Sequence, residues 1–480
     1  MVGGLYEVTG AAWLVVAAFV CQRRVKTGPL APAGTKGVKV RPALTEHPEV
    51  FGTAGGQGCG VRSRDASMPS MGRGANLPKM GEFNQNAVLD CIRRRPEGVS
   101  QTEIAALTGL ANQTVSNVTR RLLRDGLIRE SGRVLSGPGK PRTLLQLNGA
   151  SRFSIGVHLD PSVTSVTALN LAGEIVANRL LWSLHEGDPE TFLIEIEDTV
   201  RRMVMDLQID EAVLAGVGLA VPGPVDAVRG VVLNPPLLPG WHNVSLRSAL
   251  AERLGCRVEM EKDVVAAAVG EMWHRPADEG SSFLFVYLGT GIGAGAVIRG
   301  QVLRGATDNF GEVGRFRVAD STEALGRSDG SCTIGDLISP ARIVALGRDA
   351  GLVGEQGDTV EDRYRAIAGL ARAGESRASA ILQEAATHLA RGVAQLSDVL
   401  DLNEVVFGGP WWDPISDIVM PKVAAALTDL AVLTSVRPVT LRTSRHSHDA
   451  ASVGAAALVL DETFSARPER LVMPGLIAAR

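Results

Sequence analysis

Hydrophobic residues recur at helical spacing between residues 84 and 126 and predict three helices. A Pro-Glu-Gly stretch at 96–98 ends the first helix. Ser100 and Glu103 form a capping box at the start of the second helix, which Gly109 ends. The apolar positions of the first and third helices are Val88, Leu89 and Ile92, and Val115, Val118, Leu122 and Leu123. Two helices joined by a tight turn that contains glycine are typical of a helix-turn-helix.

Patterns of strands follow this segment and continue through most of the chain. Residues 127–149 hold two β-prone runs around a Gly/Pro/Lys tip, which predicts a wing. Farther on, strand-like and helix-like stretches follow the order strand-strand-strand-helix-strand twice. The first set lies at 153–159, 165–171, 174–182, 189–207 and 213–221, and the second at 283–289, 294–300, from 339 onward and at 404–409. This repeat predicts a duplicated α/β domain with a cleft between its halves.

The first 80 residues show no such period. Their apolar run at 11–21 is shorter than a membrane-spanning helix requires, and the residues around it do not suit a secretory signal. Because 22–80 is rich in Gly, Pro, Lys and Arg, we expect a disordered leader, with a membrane anchor as the alternative. Met68, Met71 and Met80 leave a later start of translation open. The predicted domains are therefore 1–80, 81–148, 149–460 and a C-terminal tail at 461–480.

Charge is distributed unevenly along the chain. The first 148 residues carry ten more Lys and Arg than Asp and Glu, whereas the rest carries 13 fewer. A basic front on an acidic body indicates a polyanionic partner for the front alone. The five cysteines are far apart, which indicates a reduced cytoplasmic protein without a disulfide framework or a Cys-rich zinc site.

The outward positions of the third helix and of the wing are polar or basic. Residues 111–142 hold seven Lys and Arg against two Asp and Glu. Such side chains can bond base edges or phosphates in a major groove, although a solvated basic face is the alternative. The candidate contacts to double-stranded DNA are Gln113, Thr114, Asn117, Arg120, Arg121, Arg133, Lys140 and Arg142.

Five motifs occur in order in the second domain: GVGLAVPGPVDAVRGVVLNPPLLPGW (216–241), EKDVVAAAVGE (261–271), LGTGIGAGAVIRGQVLRGA (288–306), GEVG (311–314) and VVFGGP (405–410). Over 149–460 the chain resembles the ROK family of repressors, open reading frames and sugar kinases. The resemblance implies a two-lobed α/β actin/hexokinase-like (RNase H-like) domain behind the N-terminal winged helix-turn-helix (α+β). The front segment is similar to the family's repressors, although Ala111 replaces their capping Ser or Thr, so that Asn112 or the turn itself would have to cap the helix.

The resemblance also implies how a family kinase would hold ATP. Gly289, Thr290, Gly291 and Gly293 keep the phosphate loop of the second lobe, and Asp263 stands where the kinases carry their catalytic base. The first-lobe loop departs from the family's G-V-D-I-G-G-T-K and reads GVHLDPSV (156–163). Pro161 has no N–H to donate and Asp160 would repel phosphates. We therefore expect a vestigial phosphate loop, no cofactor and no catalysis.

On the sugar side, the resemblance implies an effector site made of Asn234, Lys262, Asp263, Glu312 and Arg315. Lys262 and Arg315 replace an Asn and a His of the family, and Cys332 alone remains of its zinc-binding cysteines, so no metal is expected. The two cations either pair with neighbours such as Glu261 or Glu312 or select an anionic effector, such as a sugar phosphate or sugar acid. A pocket that binds nothing is the third possibility.

The sequence thus predicts a cytoplasmic transcriptional regulator, a repressor of carbohydrate-related genes, that forms a homodimer or higher homo-oligomer without a membrane partner. Two winged helices on one twofold axis would read two half-sites. The alternatives are an ATP-dependent sugar kinase with an attached DNA-binding arm and an architectural DNA binder that senses no ligand.

Overall fold

The computed structural model describes residues 6–7, 77–134, 141–181, 188–276, 279–320, 331–354, 358–430 and 438–467. Most of the predicted leader and the wing-tip residue Lys140 lie outside these residues. Within the leader, Tyr6–Glu7 form the short strand β1.

The predicted winged helix-turn-helix is confirmed. Its elements are α1 (Leu77–Arg93), β2 (Val99–Ser100), α2 (Gln101–Thr108), α3 (Asn112–Arg124), β3 (Ile128–Val134) and β4 (Arg142–Leu147). Ser100 and Glu103 form the expected capping box. The predicted cap of α3 is wrong, because no side chain caps the helix at Ala111. Asn112 is already the first helical residue, whereas a capping side chain must stand just outside the helix.

The first lobe follows, and its strands and long helix match the predicted ones. Its elements are β5 (Phe153–His158), β6 (Thr164–Asn170), β7 (Ile175–Leu181), α4 (Pro189–Asp206), β8 (Leu214–Val221), β9 (Val225–Asp226), β10 (Val231–Val232), α5 (Leu246–Leu254), β11 (Val258–Lys262) and α6 (Asp263–Trp273). The sheet has the order β11-β8-β5-β6-β7, in which β5, β8 and β11 are parallel. Helices α4 and α5 pack on one face of it.

The second lobe repeats this topology. Its elements are β12 (Phe283–Leu288), β13 (Ile292–Ile298), β14 (Gln301–Val302), β15 (Arg317–Asp320), β16 (Ser331–Thr333), α7 (Ile334–Ile338), α8 (Pro340–Asp349), α9 (Val360–Arg372), α10 (Ser376–Leu400), β17 (Glu404–Gly408), α11 (Ser416–Leu430), β18 (Thr440–Thr443) and α12 (Ala450–Phe464). The strand order β1-β18-β17-β12-β13-β14 repeats the first lobe, with β1 added at its edge. The duplication expected from the sequence is therefore present.

Helices α6 and α12 lie between the two sheets and share a core with both. Almost every residue of the two helices is buried, as expected for helices that are apolar on all sides. They approach closely at their glycines, where a Cβ on Gly270 would come within 2.8 Å of the Gly454 Cα. A Cβ on Gly156 or Gly218 would overlap the backbone of α12, so the first sheet also lies directly against that helix.

The winged helix-turn-helix packs against the far ends of these helices. Leu89 and Ile92 of α1 belong to the same hydrophobic core as Trp273 of α6 and Phe464 of α12. Because α12 runs to Phe464, the predicted tail at 461–480 begins inside this helix. None of the described helices is both long and apolar enough to cross a membrane.

Candidate ligand cleft and nucleic-acid interface

A cleft of about 580 Å³ lies between the two lobes. Four of the five predicted effector residues line it, namely Lys262, Asp263, Glu312 and Arg315. Lys262 ends β11 and Asp263 begins α6, whereas Glu312 and Arg315 flank the short 3-10 turn Val313–Arg315 of the second lobe. Asn234 is exposed and is not among the lining residues, although Pro236 of the same loop is.

The two predicted cations of the cleft differ in their surroundings. The Lys262 side chain is only 3% exposed, and its Nζ lies 2.5 Å from Glu312 Oε1. The same Nζ donates to the backbone oxygen of Phe310 at 3.1 Å. Lys262 is thus paired with a neighbour, which was one of the alternatives for it. Arg315 is exposed and forms no ion pair with any residue that the structure describes.

The Lys262–Glu312 pair is one of several links from the first lobe to the second. Arg304 donates to Glu261 at 2.7 Å. The backbone N–H of Val225 donates to Asn309 Oδ1 at 2.7 Å, and Asn309 Nδ2 donates back to the Val225 oxygen at 2.8 Å. The lobes are therefore held together across the cleft by side chains alone.

Asp160 forms a further link at the predicted phosphate loop. Its carboxylate accepts hydrogen bonds from Ser162 N at 2.8 Å and from Thr290 Oγ1 at 3.0 Å. The cleft lining includes all of the predicted loop residues, Gly289, Thr290, Gly291 and Gly293, together with Pro161. A buried carboxylate therefore bonds to the loop that was expected to hold phosphate in a kinase.

Asp263 is the titratable group of the cleft whose environment departs most from water. Burial raises the pKa of Asp263 to about 7, although Lys262 and a hydrogen bond of 2.7 Å from Val264 N lower it. The carboxylates of Asp160 and Glu312 raise that pKa further. Near neutral pH this side chain can therefore donate or accept a hydrogen bond from a ligand hydroxyl.

Sequence reasoning missed some of the polar groups in the cleft. The Tyr287 hydroxyl is buried, has no hydrogen-bond partner among the described residues, and belongs to a residue that lines the cleft. Its place at the end of the predicted strand 283–289, just before the glycine turn, could have indicated this role. Arg317, Thr333 and Asp336 also line the cleft, but they follow no sequence motif and are brought there by β15, β16 and α7.

The described residues contain no cluster of three or more His, Cys, Asp or Glu side chains that could hold a metal ion. Cys332 is buried in β16.

The outward face of α3 presents polar side chains. Gln113, Asn117 and Arg120 are exposed, and Asn117 Oδ1 accepts from Gln113 at 3.4 Å and from Arg120 at 3.3 Å. Thr114 and Arg121 are half-buried at the edge of this face. Of the predicted wing residues, Arg133 on β3 and Arg142 on β4 are exposed, and Lys140 lies outside the described residues. The inward face of α3 buries Val115, Val118 and Leu122, as predicted, and leaves Leu123 half-buried.

The buried hydroxyl of Thr119 was missed by the sequence analysis. It accepts a hydrogen bond from Gln101 Nε2 at 3.0 Å and so ties α3 to the start of α2. This bond fixes the angle at which α3 presents its outer face.

The substitution Asp263→Asn tests the raised pKa. Because the folded pKa of about 7 lies above the ordinary value, folding increasingly disfavours the ionised carboxyl as pH rises from about 4 to 7. We expect the wild type to lose on the order of 2 kcal/mol of stability relative to the Asn variant between pH 5 and pH 8, measured by denaturant unfolding. The exposed Asp429→Asn serves as the control. A difference between wild type and Asp263→Asn that stays constant with pH would contradict the assignment.

Comparisons with known proteins agree on both parts of the chain. The IclR helix-turn-helix domain matches residues 87–132, and the ROK family matches residues 155–462. A xylose repressor of Caldicellulosiruptor bescii is 26% identical over 379 residues, which cover 76% of this chain and 93% of that protein. A transcriptional regulator of Mycobacterium bovis is 29% identical, with 70% of this chain and 76% of that protein covered.

The fold is similar to two groups of solved structures. A ROK family transcriptional regulator, a homolog of E. coli MLC protein, superposes with a TM-score of 0.65 and 20% identity, covering 80% of this chain and 97% of that chain. A ROK family glucokinase from Streptomyces griseus, solved with glucose and AMPPNP, gives a TM-score of 0.53 and 23% identity, covering 64% of this chain and 98% of that chain. The match over 155–462 establishes that this chain belongs to the ROK family.

Proposed function

We propose that this protein is a DNA-binding transcriptional regulator, a repressor of carbohydrate-related genes, and that a sugar or sugar-derived ligand in the cleft controls it. The observation that carries the proposal is the outer face of α3, where Gln113, Asn117 and Arg120 are exposed and bond only to one another. The names of the curated relatives, xylose repressor and transcriptional regulator, support the same function.

The residue types on this face suit reading of base edges. Gln and Asn side chains can bond adenine, and Arg can bond the two acceptors of guanine. Arg133 and Arg142 project from the two strands of the wing, where they can contact phosphates and fix the orientation of α3. We further propose a homodimer or higher homo-oligomer, because two copies of α3 about a twofold axis would read two half-sites.

Helix α6 offers a direct path from the cleft to the winged helix-turn-helix. Its first residue, Asp263, lines the cleft, and its last residue, Trp273, packs against α1. The guanidinium of Arg93 stacks on the Trp273 ring at 4.2 Å and donates to the Trp273 backbone oxygen. A ligand that favours one arrangement of the lobes would therefore move the surface on which α1 sits.

A sugar kinase with a DNA-binding arm is the second candidate, favoured by Asp263 at the first turn of α6, where a pKa of about 7 suits a general base. The contact between Asp160 and Thr290 opposes it, because a carboxylate at the phosphate loop repels ATP. We expect no sugar-dependent ATP hydrolysis above background, measured by a coupled assay with neutral sugars. Turnover that the Asp263→Asn variant abolishes would establish the kinase instead.

Binding to the DNA upstream of its own gene tests the proposed function. We expect salt-sensitive binding, and we expect Arg120→Ala to weaken it by about 1–3 kcal/mol, or roughly tenfold to a hundredfold. Fluorescence anisotropy at two salt concentrations would measure the effect.

The matched control is Arg202→Ala, since Arg202 is equally exposed but pairs with Asp198 on α4, in the first lobe. Equal affinity of wild type and Arg120→Ala, or equal losses in both variants, would contradict the assignment of α3 as the recognition helix.

The Arg93→Met substitution tests the path through α6. It keeps the apolar stem but removes both contacts with Trp273. We expect the DNA affinity of the ligand-free protein to change less than about threefold, while the ligand-induced change in that affinity shrinks severalfold.

Arg95→Met is the control, because the described hydrogen bonds of Arg95 go to Cys91 within the same helix. A full ligand response in Arg93→Met would show that coupling does not run through this contact.

A further inference from the structure

We propose that the ligand of the cleft carries an anionic group, a carboxylate or a phosphate, on a sugar or polyol framework. That group replaces the Glu312 carboxylate on Lys262 and is also bound by Arg315. This inference rests on the proposed function, because it names the chemical class of the ligand that would control the protein.

The first step of the argument is the burial of Lys262. With only 3% of its side chain exposed, its ammonium depends on Glu312 and on the backbone oxygen of Phe310. Removing the charged partner of a buried ion is strongly unfavourable, because water cannot replace the lost interaction. Asp263 beside it does not supply a full negative charge at neutral pH, since burial raises its pKa to about 7.

The second step is the unequal burial of the pair. The Glu312 side chain is 56% exposed, so it can swing into solvent at little cost, whereas Lys262 cannot follow it. A neutral ligand that displaced Glu312 would leave a buried cation unpaired. A ligand that brings its own anion would not, so the site favours anionic over neutral ligands.

There is also room for such a group beside the pair. Gly223 faces it, and a Cβ there would come within 2.9 Å of Glu312 Oε1 and 3.0 Å of Lys262 Cε. Because Gly223 has no side chain and lines the cleft, a ligand oxygen can approach Lys262 from this side.

The third step is the uncommitted guanidinium of Arg315. Arg304 pairs with Glu261, and Arg317 has a partner of its own. Arg315 lines the cleft three residues after Glu312 on the same turn and has no ion-pair partner among the described residues. A guanidinium can bind a carboxylate or phosphate through two parallel hydrogen bonds, which makes it suited to the same anion.

The exchange has a structural consequence. Glu312 belongs to the second lobe and Lys262 to the first, so replacing their contact removes one link between the lobes. The links from Asp160 to Thr290 and from Val225 to Asn309 do not involve either residue. Ligand charge and lobe arrangement are therefore connected at one ion pair.

Calorimetry with charge-matched ligands tests the inference. The panel is xylose and glucose, the aldonic acid of each, and the terminal phosphate ester of each. We expect at least one acidic member to bind on the order of tenfold or more tightly than its neutral parent. Arg315→Gln should remove most of this preference, and Glu312→Gln should strengthen binding of the acidic member because a neutral amide competes less for Lys262.

The control variant is Arg299→Gln, which removes an exposed cation of the second lobe outside the cleft lining and should leave the preference unchanged. Neutral sugars that bind as well as their acids and phosphates, a preference that survives Arg315→Gln, or no binding by any member of the panel would each overturn the inference. DNA binding by the same preparations separates the two proposals. Salt-sensitive DNA binding without an acidic preference would overturn this inference alone, whereas loss of DNA binding would overturn the proposed function.

Discussion

The close contact between α6 and α12 is the constraint on which the rest of the structure depends. At Gly270 and Gly454 the two backbones approach so closely that any side chain would overlap the partner helix. Both helices are enclosed by the two sheets, and the first sheet meets α12 at Gly156 and Gly218 without intervening side chains. Such packing leaves no space for independent movement, since protein interiors are nearly incompressible. The arrangement of the lobes and the position of the winged helix-turn-helix are therefore mechanically connected.

The cleft illustrates how a family that includes kinases can keep its architecture while its chemistry changes. In this chain a carboxylate, Asp160, bonds to Thr290 in the loop that retains the glycines of a phosphate site. Side-chain links such as Lys262–Glu312 connect the lobes without a nucleotide between them. These internal contacts are weaker than a bound nucleotide-metal complex and can be exchanged one at a time. That property suits a sensor, whose two states must differ by only a few kcal/mol.

Hydrophobic periodicity was sufficient to predict the helices of the winged helix-turn-helix, the duplicated lobes and the cleft, because each depends on local patterns of burial. It could not predict contacts between distant positions. Arg93 meets Trp273 and Lys262 meets Glu312 only through the tertiary fold. The absent cap at Ala111 was mispredicted because one residue of register decides whether Asn112 lies inside or outside the helix. Local sequence likewise did not reveal Tyr287, whose exposure to the cleft depends on the position of α6.

The most direct test of the account is the thermodynamic linkage between the cleft and α3. The affinity for upstream DNA is measured with and without a saturating amount of the sugar or sugar acid that binds most tightly, and the affinity for that ligand is measured with and without DNA. The account predicts that both affinities change by the same factor, about 5-fold to 150-fold, because coupling between two sites is reciprocal. Two affinities that are each unaffected by the other ligand would contradict it, because the cleft and the winged helix-turn-helix would then be independent.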